Sequence, residues 1–504
     1  MAGKHSAPLR GLTSTGSSPL FQGRFGRMFR NLPSATFGKT EEDNERNLFR
    51  LGKAMTNTFD KPKNGKDDEE SGIPALYTYF GQFIDHDITF DPMSSLMKQN
   101  DPDALVDFRN PSLDMDNVYG RGPDDQPYMY DTPKTFLLGD PISGGHRGAR
   151  DLPRNSKGRA LIGDPRNDEN TIVSQLQGLF LHFHNRLVAD HQDTAFEDIQ
   201  QLMRFHYQYV ILNDFLPRIV SAKVLEELKT DGRYDRAKLK FFHWKNDPFM
   251  PVEFSVAAYR LGHSMVRPGY RLNDGRDSLL AIFPDRSRDG LTGFRKMGHG
   301  RGIDWGRFID IDVRDYDGPP HVRGRRLQFA YRIDTSLVNP LGKLPHPSVV
   351  PTKPFVLAER NLVRGWRLGL PSGQDVARAM GLTPLADKDI LVGQGTDDPG
   401  PEKNIVQSAG RAFAGNCPLW TYILAEAMHY MVSVPIPVKE KGMLITTPQL
   451  GPVGGRIVAE VLLGLMFGDD NSMLQLDPLW QPVTGKNFAL KDIVRYALGQ
   501  GPAL

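Results

Sequence analysis

The sequence predicts a mainly α-helical protein, built as one large domain with long loops and little β-sheet. Three observations predict it. Apolar residues recur at helical spacing in segment after segment. Period-2 strand patterns are few and short. Stretches dense in glycine and proline, 50 and 38 residues in all, separate the helical segments, yet no clean linker or fixed-period repeat divides the chain. At 504 residues most of the surface of the unfolded chain can be buried without staples.

Residues 1–45 read as an N-terminal arm, with Gly-Ser-Thr clusters, scattered arginines and no periodicity, and residues 46–504 as the domain. Lys61 to Glu70 is a charged run that reads as a solvated loop. From Ile73, with Pro74 in the first turn, Leu76, Tyr79, Phe80, Phe83 and Phe90 mark an amphipathic helix. Asn170–His191, Phe196–Val220 and Val252–Val266 follow as helices, the last stopped by Pro268. Further helices are expected over Phe355–Arg367, Gln374–Met380, Trp420–Val432, Pro452–Phe467 and Leu490–Leu498. Gly451 to Arg456 reads as a helix start packed on the core.

Composition excludes several functions. With 62 basic and 60 acidic residues of mixed order, the chain lacks the profile of a nucleic-acid binder. The longest strongly apolar stretch, Val458–Phe467, is too short to span a membrane. Met1 to Leu51 lacks the apolar core of a secretory signal, so the expectation is a cytoplasmic protein or one exported by a non-classical route. The single cysteine, Cys417, forms neither an intrachain disulfide nor a thiolate cluster.

Five segments could carry chemistry. In Gly81-Gln82-Phe83-Ile84-Asp85-His86-Asp87 an imidazole stands between two carboxylates on an aromatic-rich helix. Burying the three together requires partners for each; the other reading is a polar face that meets solvent. Gly163-Asp164-Pro165-Arg166-Asn167-Asp168-Glu169 enters a helix, and its acidic end also fits N-terminal capping. His263 lies beside Gly262, where a flat ligand could approach, although a histidine on an apolar face is often a core residue. Asn361 and Arg364 share a helix face. Asn110, Ser112, Asp114 and Asp116 offer oxygen at alternate positions, as a calcium loop or an Asx-rich turn would. The glycine pairs at 298/300 and 393/395 lack a nucleotide-loop context, and His182 and His184 point in different directions.

Together and in this order, the motifs over roughly residues 70–470 resemble the animal-type haem peroxidase superfamily, the group of myeloperoxidase, lactoperoxidase and the cyclooxygenases, in a bacterial-style form without disulfides. The 81–87 segment looks like its distal helix, Gly163-Asp164-x-Arg166-x-x-Glu169 its catalytic arginine segment, Arg260-x-Gly262-His263 its proximal histidine segment, and Asn361-x-x-Arg364 the support of that histidine. His184-Asn185-Arg186-Leu187 also matches a family helix.

The resemblance implies a haem b cofactor and a calcium ion. It implies His263 as iron ligand with Asn361 accepting its ring N–H. His86 would move the peroxide proton, Arg166 would stabilise developing charge, and Gln82 would orient water or a halide. Arg260 and Arg364 would meet the haem propionates. Asp85 and Glu169 match carboxylates that become ester-linked to haem. Asp87 matches a calcium ligand, completed by Asn110, Ser112, Asp114 and Asp116, the last standing where serine is usual.

Two departures narrow the implied activity. Asn170 follows Glu169 where myeloperoxidase has the methionine of its sulfonium link, which makes chloride a harder substrate. Arg260, three before His263, replaces the radical-bearing tyrosine of the cyclooxygenases, which disfavours fatty-acid oxygenation. The implied function is reduction of hydrogen peroxide with oxidation of bromide, iodide, thiocyanate or small aromatic donors. The alternatives are a fatty-acid dioxygenase, with Tyr259 as the nearby tyrosine, and a non-catalytic haem- and calcium-binding adhesion protein.

Overall fold

A computed structural model of the chain describes residues 25–57, 63, 65–89, 111–146, 148–275, 278–283, 290–319, 321, 323–344, 354–393 and 402–504. The longer helices are α1 (Glu41–Met55), α2 (Leu76–Ile88), α3 (Thr171–Asp190), α4 (Phe196–Val210), α5 (Leu357–Arg367), α6 (Leu419–Ala427), α7 (Pro452–Phe467) and α8 (Leu490–Ala497). Sheet among the described residues is confined to two-stranded pairs. The protein is mainly α.

α3 is the central helix. It packs on α2, α4 and α8, and the rings of Phe83 on α2 and Phe180 on α3 stack with centroids 4.6 Å apart. α7 is buried from Val453 to Met466 and is apolar except for Arg456 and Glu460, which pair with each other on one face. It starts at Pro452, and its first free N–H groups, on Val453 and Gly454, donate to the buried carboxylate of Glu426 at 3.0 and 3.1 Å. Gly454 lets α6 approach, because a Cβ there would meet Ile423 at 2.5 Å. The helix start read at Gly451–Arg456 therefore packs on the core as expected.

Five expectations are corrected. Residues 25–45 are not a separate arm: Phe25, Phe29, Ala35 and Phe37 are buried, Phe25–Gly26 pairs with Met250–Pro251, and α1 starts at Glu41 behind the Thr40 cap. The arm's glycines and serines hid these spaced apolar anchors. The run ending at Glu70 is not a solvated loop at that end, since Asp67, Glu69 and Glu70 are buried. The Phe196–Val220 helix is continuous but widens to a π turn over Ile211–Phe215, just before Pro217, whose missing N–H breaks the α ladder.

The Val252–Val266 helix breaks into a single α turn, Val252–Ser255, and a 3-10 turn, Ala258–His263. Arg260 Nε donates to Ser255 O at 3.1 Å, taking the carbonyl that an α-helix would give to residue 259. The helix from Trp420 ends at Ala427, and Met431–Pro435 forms a strand against Leu444–Pro448. β-branched Val432 and Val434 favour that pairing. Phe90 lies outside the described residues.

Glu70 holds the strand before α2. Its carboxylate pairs with Arg267 and Arg326 and accepts from Tyr316 Oη at 2.8 Å, and the side chains of all three charged groups are at most 3% exposed. Replacing Glu70 with alanine strands two buried guanidinium groups. Glu70→Ala is expected to lower unfolding free energy by about 3–5 kcal/mol. Guanidinium denaturation checks this, and a midpoint like wild type would contradict it.

Candidate active site

A cavity of about 350 Å³ is enclosed by α2, the turn leading into α3, the 3-10 turn Ala258–His263 and the start of α5. Thr78, Gln82, Asp85 and His86 line it from α2; their spacing places them on one helix face. Glu169 and Asn170 line it from the turn before α3, and Arg260, Gly262 and His263 from the 3-10 turn. Residues i and i+3 eclipse in a 3-10 turn, so Arg260 and His263 share a side. A Cβ at Gly262 would meet nothing within 4 Å, so that glycine faces open space.

On the α2 side, every polar group is held. His86 is buried; its Nδ1 lies 2.7 Å from Asn167 Oδ1 and its Nε2 3.9 Å from Glu169 Oε1. Gln82 Nε2 donates to the same Glu169 oxygen. Burial raises the Glu169 pKa above the usual carboxylate range, against the opposing pull of His86 and Arg166. Asn170 caps α3 by accepting from Ile172 N and Val173 N at 3.1 and 2.9 Å, and its Nδ2 donates to Gln82 Oε1 at 3.1 Å.

The turn carrying Glu169 is rigid. Asp164 caps it by accepting from Arg166 N at 2.8 Å. Arg154 grips Asp168 at 2.6 and 2.8 Å and Asp151 at 2.9 and 3.0 Å. Arg166 is not among the cavity-lining residues. Its guanidinium bonds Asp164 at 2.8 Å and donates to His86 O at 3.0 Å and to Thr89 O, where it caps the end of α2.

On the opposite wall, the His263 Nδ1 lies 2.7 Å from the Asn361 side-chain amide. The amide nitrogen faces Nδ1; a half-turn of this group brings its carbonyl there instead. With Nδ1 engaged, Nε2 is the nitrogen left for a ligand. Burial lowers the His263 pKa to about 3, helped by the charge of Arg260, so the ring stays neutral. Leu357, Asn361 and Arg364 share one face of α5, of which only Leu357 lines the cavity. Sequence reasoning missed Arg360, whose pKa is lowered by burial and by the neighbouring charge of Arg260. It also missed Asn167. Arg360 stands four residues before Arg364, a spacing that could have signalled a guanidinium pair.

Residues 110–282 match the family model for animal haem peroxidases. Thyroid peroxidase of Canis lupus familiaris is 29% identical over 124 residues, which cover 23% of this chain and 12% of that protein. The dual oxidase of Drosophila melanogaster is 32% identical over 126 residues, 23% of this chain and 7% of that one. The matched segment thus spans only a small part of these relatives. Among solved structures, peroxidase A from Dictyostelium discoideum superposes with a TM-score of 0.58 at 15% identity, covering 99% of this chain and 95% of that one. Fatty acid alpha-dioxygenase from Arabidopsis thaliana gives 0.54 at 14%, covering 96% and 79%; both likenesses concern the fold.

Over residues 110–282 the chain is similar to the animal haem peroxidases. The matched stretch contains Arg166, Glu169, Arg260 and His263, whereas the α2 residues and Asn361 lie outside it and are joined to it by the geometry above. Among the described residues, no helix of the chain is long and apolar enough to cross a membrane.

Haem would fit the cavity described. Its floor is open at Gly262, a neutral histidine presents Nε2, and carboxylates Asp85 and Glu169 line one wall while guanidinium Arg260 lines another.

A separate cluster could hold a cation. Asp87, Asp114 and Asp116 are buried and each brings one carboxylate oxygen within 4.8 Å of the others. Met115, in a left-handed conformation (φ 62°), donates its N–H to Asp87 Oδ2 at 3.2 Å and so ties the loop to α2. Ser112 instead donates to Asp469 Oδ2 at 2.8 Å, and Asn110 lies outside the described residues. Three buried carboxylates this close favour a hard cation such as calcium. At calcium about 100-fold above its dissociation constant the gain is about 2.7 kcal/mol. Chelation or Asp114→Ala is therefore expected to lower the melting temperature; elemental analysis without calcium, and no effect of either treatment, would contradict it.

Proposed function

We propose that this protein is a haem peroxidase that reduces hydrogen peroxide and oxidises a small donor: bromide, iodide, thiocyanate or a small aromatic molecule. The observation that carries the reading is one cavity with two differently held histidines, a neutral His263 on one wall and His86 beside Glu169 on another.

When bound, haem would supply the iron that meets peroxide and passes two oxidising equivalents to the donor. His263 Nε2 would hold the haem iron, with Asn361 fixing its Nδ1. His86 Nε2 takes a proton from peroxide and returns it to the departing oxygen. Arg166 contributes positive charge near this site while fixing the end of α2. Gln82, locked between Asn170 and Glu169, orients water or a halide. Arg260 and Arg364 would pair with the haem propionates, and Asp85 and Glu169 would form the ester links. Asp87, Asp114 and Asp116 would hold calcium.

An absorption spectrum before and after peroxide tests the reading. His263→Ala is expected to lose haem or its axial coordination. His86→Ala should keep haem yet slow the peroxide reaction by about 10²–10⁴-fold. Stopped-flow rates like wild type in His86→Ala, or no haem in the wild-type protein, would overturn it.

The ester links have their own test. After peroxide treatment, acid–organic extraction is expected to leave haem on wild-type protein and to remove it from the Asp85→Val, Glu169→Gln double variant. Ready extraction from treated wild type would leave the two carboxylates as hydrogen-bond acceptors only.

A second reading, fatty-acid dioxygenation, is favoured by one observation. Tyr259 lines the cavity with its ring stacked on Phe254, 4.6 Å between centroids, beside apolar Leu341, Leu344 and Leu357. Oxygen uptake on addition of a long-chain fatty acid, abolished in Tyr259→Phe, would select it over peroxidation.

A further inference from the structure

His86 is backed by two buried amides that play no part in the reaction proposed above. Its Nδ1 lies 2.7 Å from Asn167 Oδ1, and Asn167 Nδ2 donates to Gln177 Oε1 at 2.7 Å. Asn167 and Gln177 are both fully buried, and neither lines the cavity. Asn167 sits on the turn stiffened by Asp164 and Arg154, where its own N–H donates to Asp164 O at 3.1 Å. Gln177 comes from α3.

A neutral imidazole carries its proton on either nitrogen. To take a proton from peroxide at Nε2, His86 must carry its own on Nδ1. The surroundings pull both ways: the Glu169 carboxylate, 3.9 Å from Nε2, attracts a proton to that side. Asn167 Oδ1, at 2.7 Å, is an acceptor within full hydrogen-bond reach of Nδ1. The shorter contact is also the drier one, where a hydrogen bond gains most.

We propose that Asn167, backed by Gln177, is a positioning residue that fixes His86 as the Nδ1–H tautomer and turns the basic lone pair of Nε2 into the cavity. Its purpose rests on the peroxidase reading; the tautomer belongs to the chain itself. Leucine at 167 keeps the bulk and removes the acceptor. Aspartate restores it, and Gln177 Nε2, which has no partner among the described residues, can turn to the second carboxylate oxygen.

The experiment has two arms. In the full-length protein without haem, labelled with 15N in the histidine rings, the His86 resonances identify the protonated nitrogen, assigned by their loss in His86→Gln. The expected pattern is Nδ1–H in wild type and Asn167→Asp, and Nε2–H or a mixture in Asn167→Leu. In the haem-loaded protein, stopped flow is expected to show the peroxide reaction slowed about 10–100-fold in Asn167→Leu and largely recovered in Asn167→Asp. Carbon monoxide association with the reduced form, which needs no proton transfer, should stay the same in both. If Asn167→Leu does not fold, Gln177→Met is expected to shift the tautomer in the same direction. Nε2–H in the wild type, or one tautomer throughout the series, would overturn the proposal. Nδ1–H in a protein that does not react with peroxide would instead overturn the peroxidase reading and leave the tautomer assignment standing.

Discussion

His86, Gln82, Glu169 and Asn170, on one side of the cavity, depend on the hydrogen bonds that join α2 to the turn 164–170. Arg166 caps the carbonyls at the end of α2, Asn167 holds the ring of His86, and Glu169 and Asn170 hold Gln82 between them. Each such bond is worth only about 1 kcal/mol net, but a buried group that loses its partner costs more. The helix and the turn are therefore fixed as a unit. The turn is anchored to a third segment by Arg154, which bonds Asp168 in the turn and Asp151 in its own segment. His86 thus gains its orientation from Asn167, which does not face the cavity, while Gln82 gains its own from Glu169 and Asn170, which do.

The two walls differ in charge as well as in chemistry. Carboxylates Asp85 and Glu169 stand on the α2 side, and Arg260 stands beside His263 with Arg360 near it. A flat molecule with an apolar body and anionic edges is matched by that division. The neutrality of His263 is a consequence of burial beside a cation, so the same surroundings that would receive anionic groups keep the imidazole ready to donate a lone pair.

Much of this was legible in the sequence. Pro452–Phe467 reads as a helix because Pro452 opens a long, mostly apolar run, and only Arg456 and Glu460 interrupt it. His86, Glu169 and His263 could be singled out only from the motifs taken together and in order, since each run alone also fits an exposed face, a helix cap or a core histidine. What the sequence does not carry is the competition between local and distant bonds. Nothing in Val252–Val266 announces that Arg260 will take the carbonyl of Ser255, yet that bond turns an expected α-helix into the 3-10 turn that aligns Arg260 with His263. Arg166 was likewise visible as an arginine near a site, but its place at the end of α2 depends on where a helix some eighty residues earlier in the chain comes to rest. Residues 25–45 failed for a different reason: composition averages over a segment, while burial there rests on a few spaced aromatic anchors.

The cavity draws its walls from Tyr77 near one end of the described chain to Leu357 well towards the other. Contacts so far apart along the chain close late, after loop entropy has been overcome. The helical pairs around α3 can form while the polypeptide is still being made, but the wall carrying Leu357 and the Asn361 support cannot exist before α5 has emerged. A prosthetic group that needs both walls would have to enter after synthesis has passed that point. The timing of its capture is thereby written into the order of the segments, with the nascent chain offering only part of a binding surface until α5 docks.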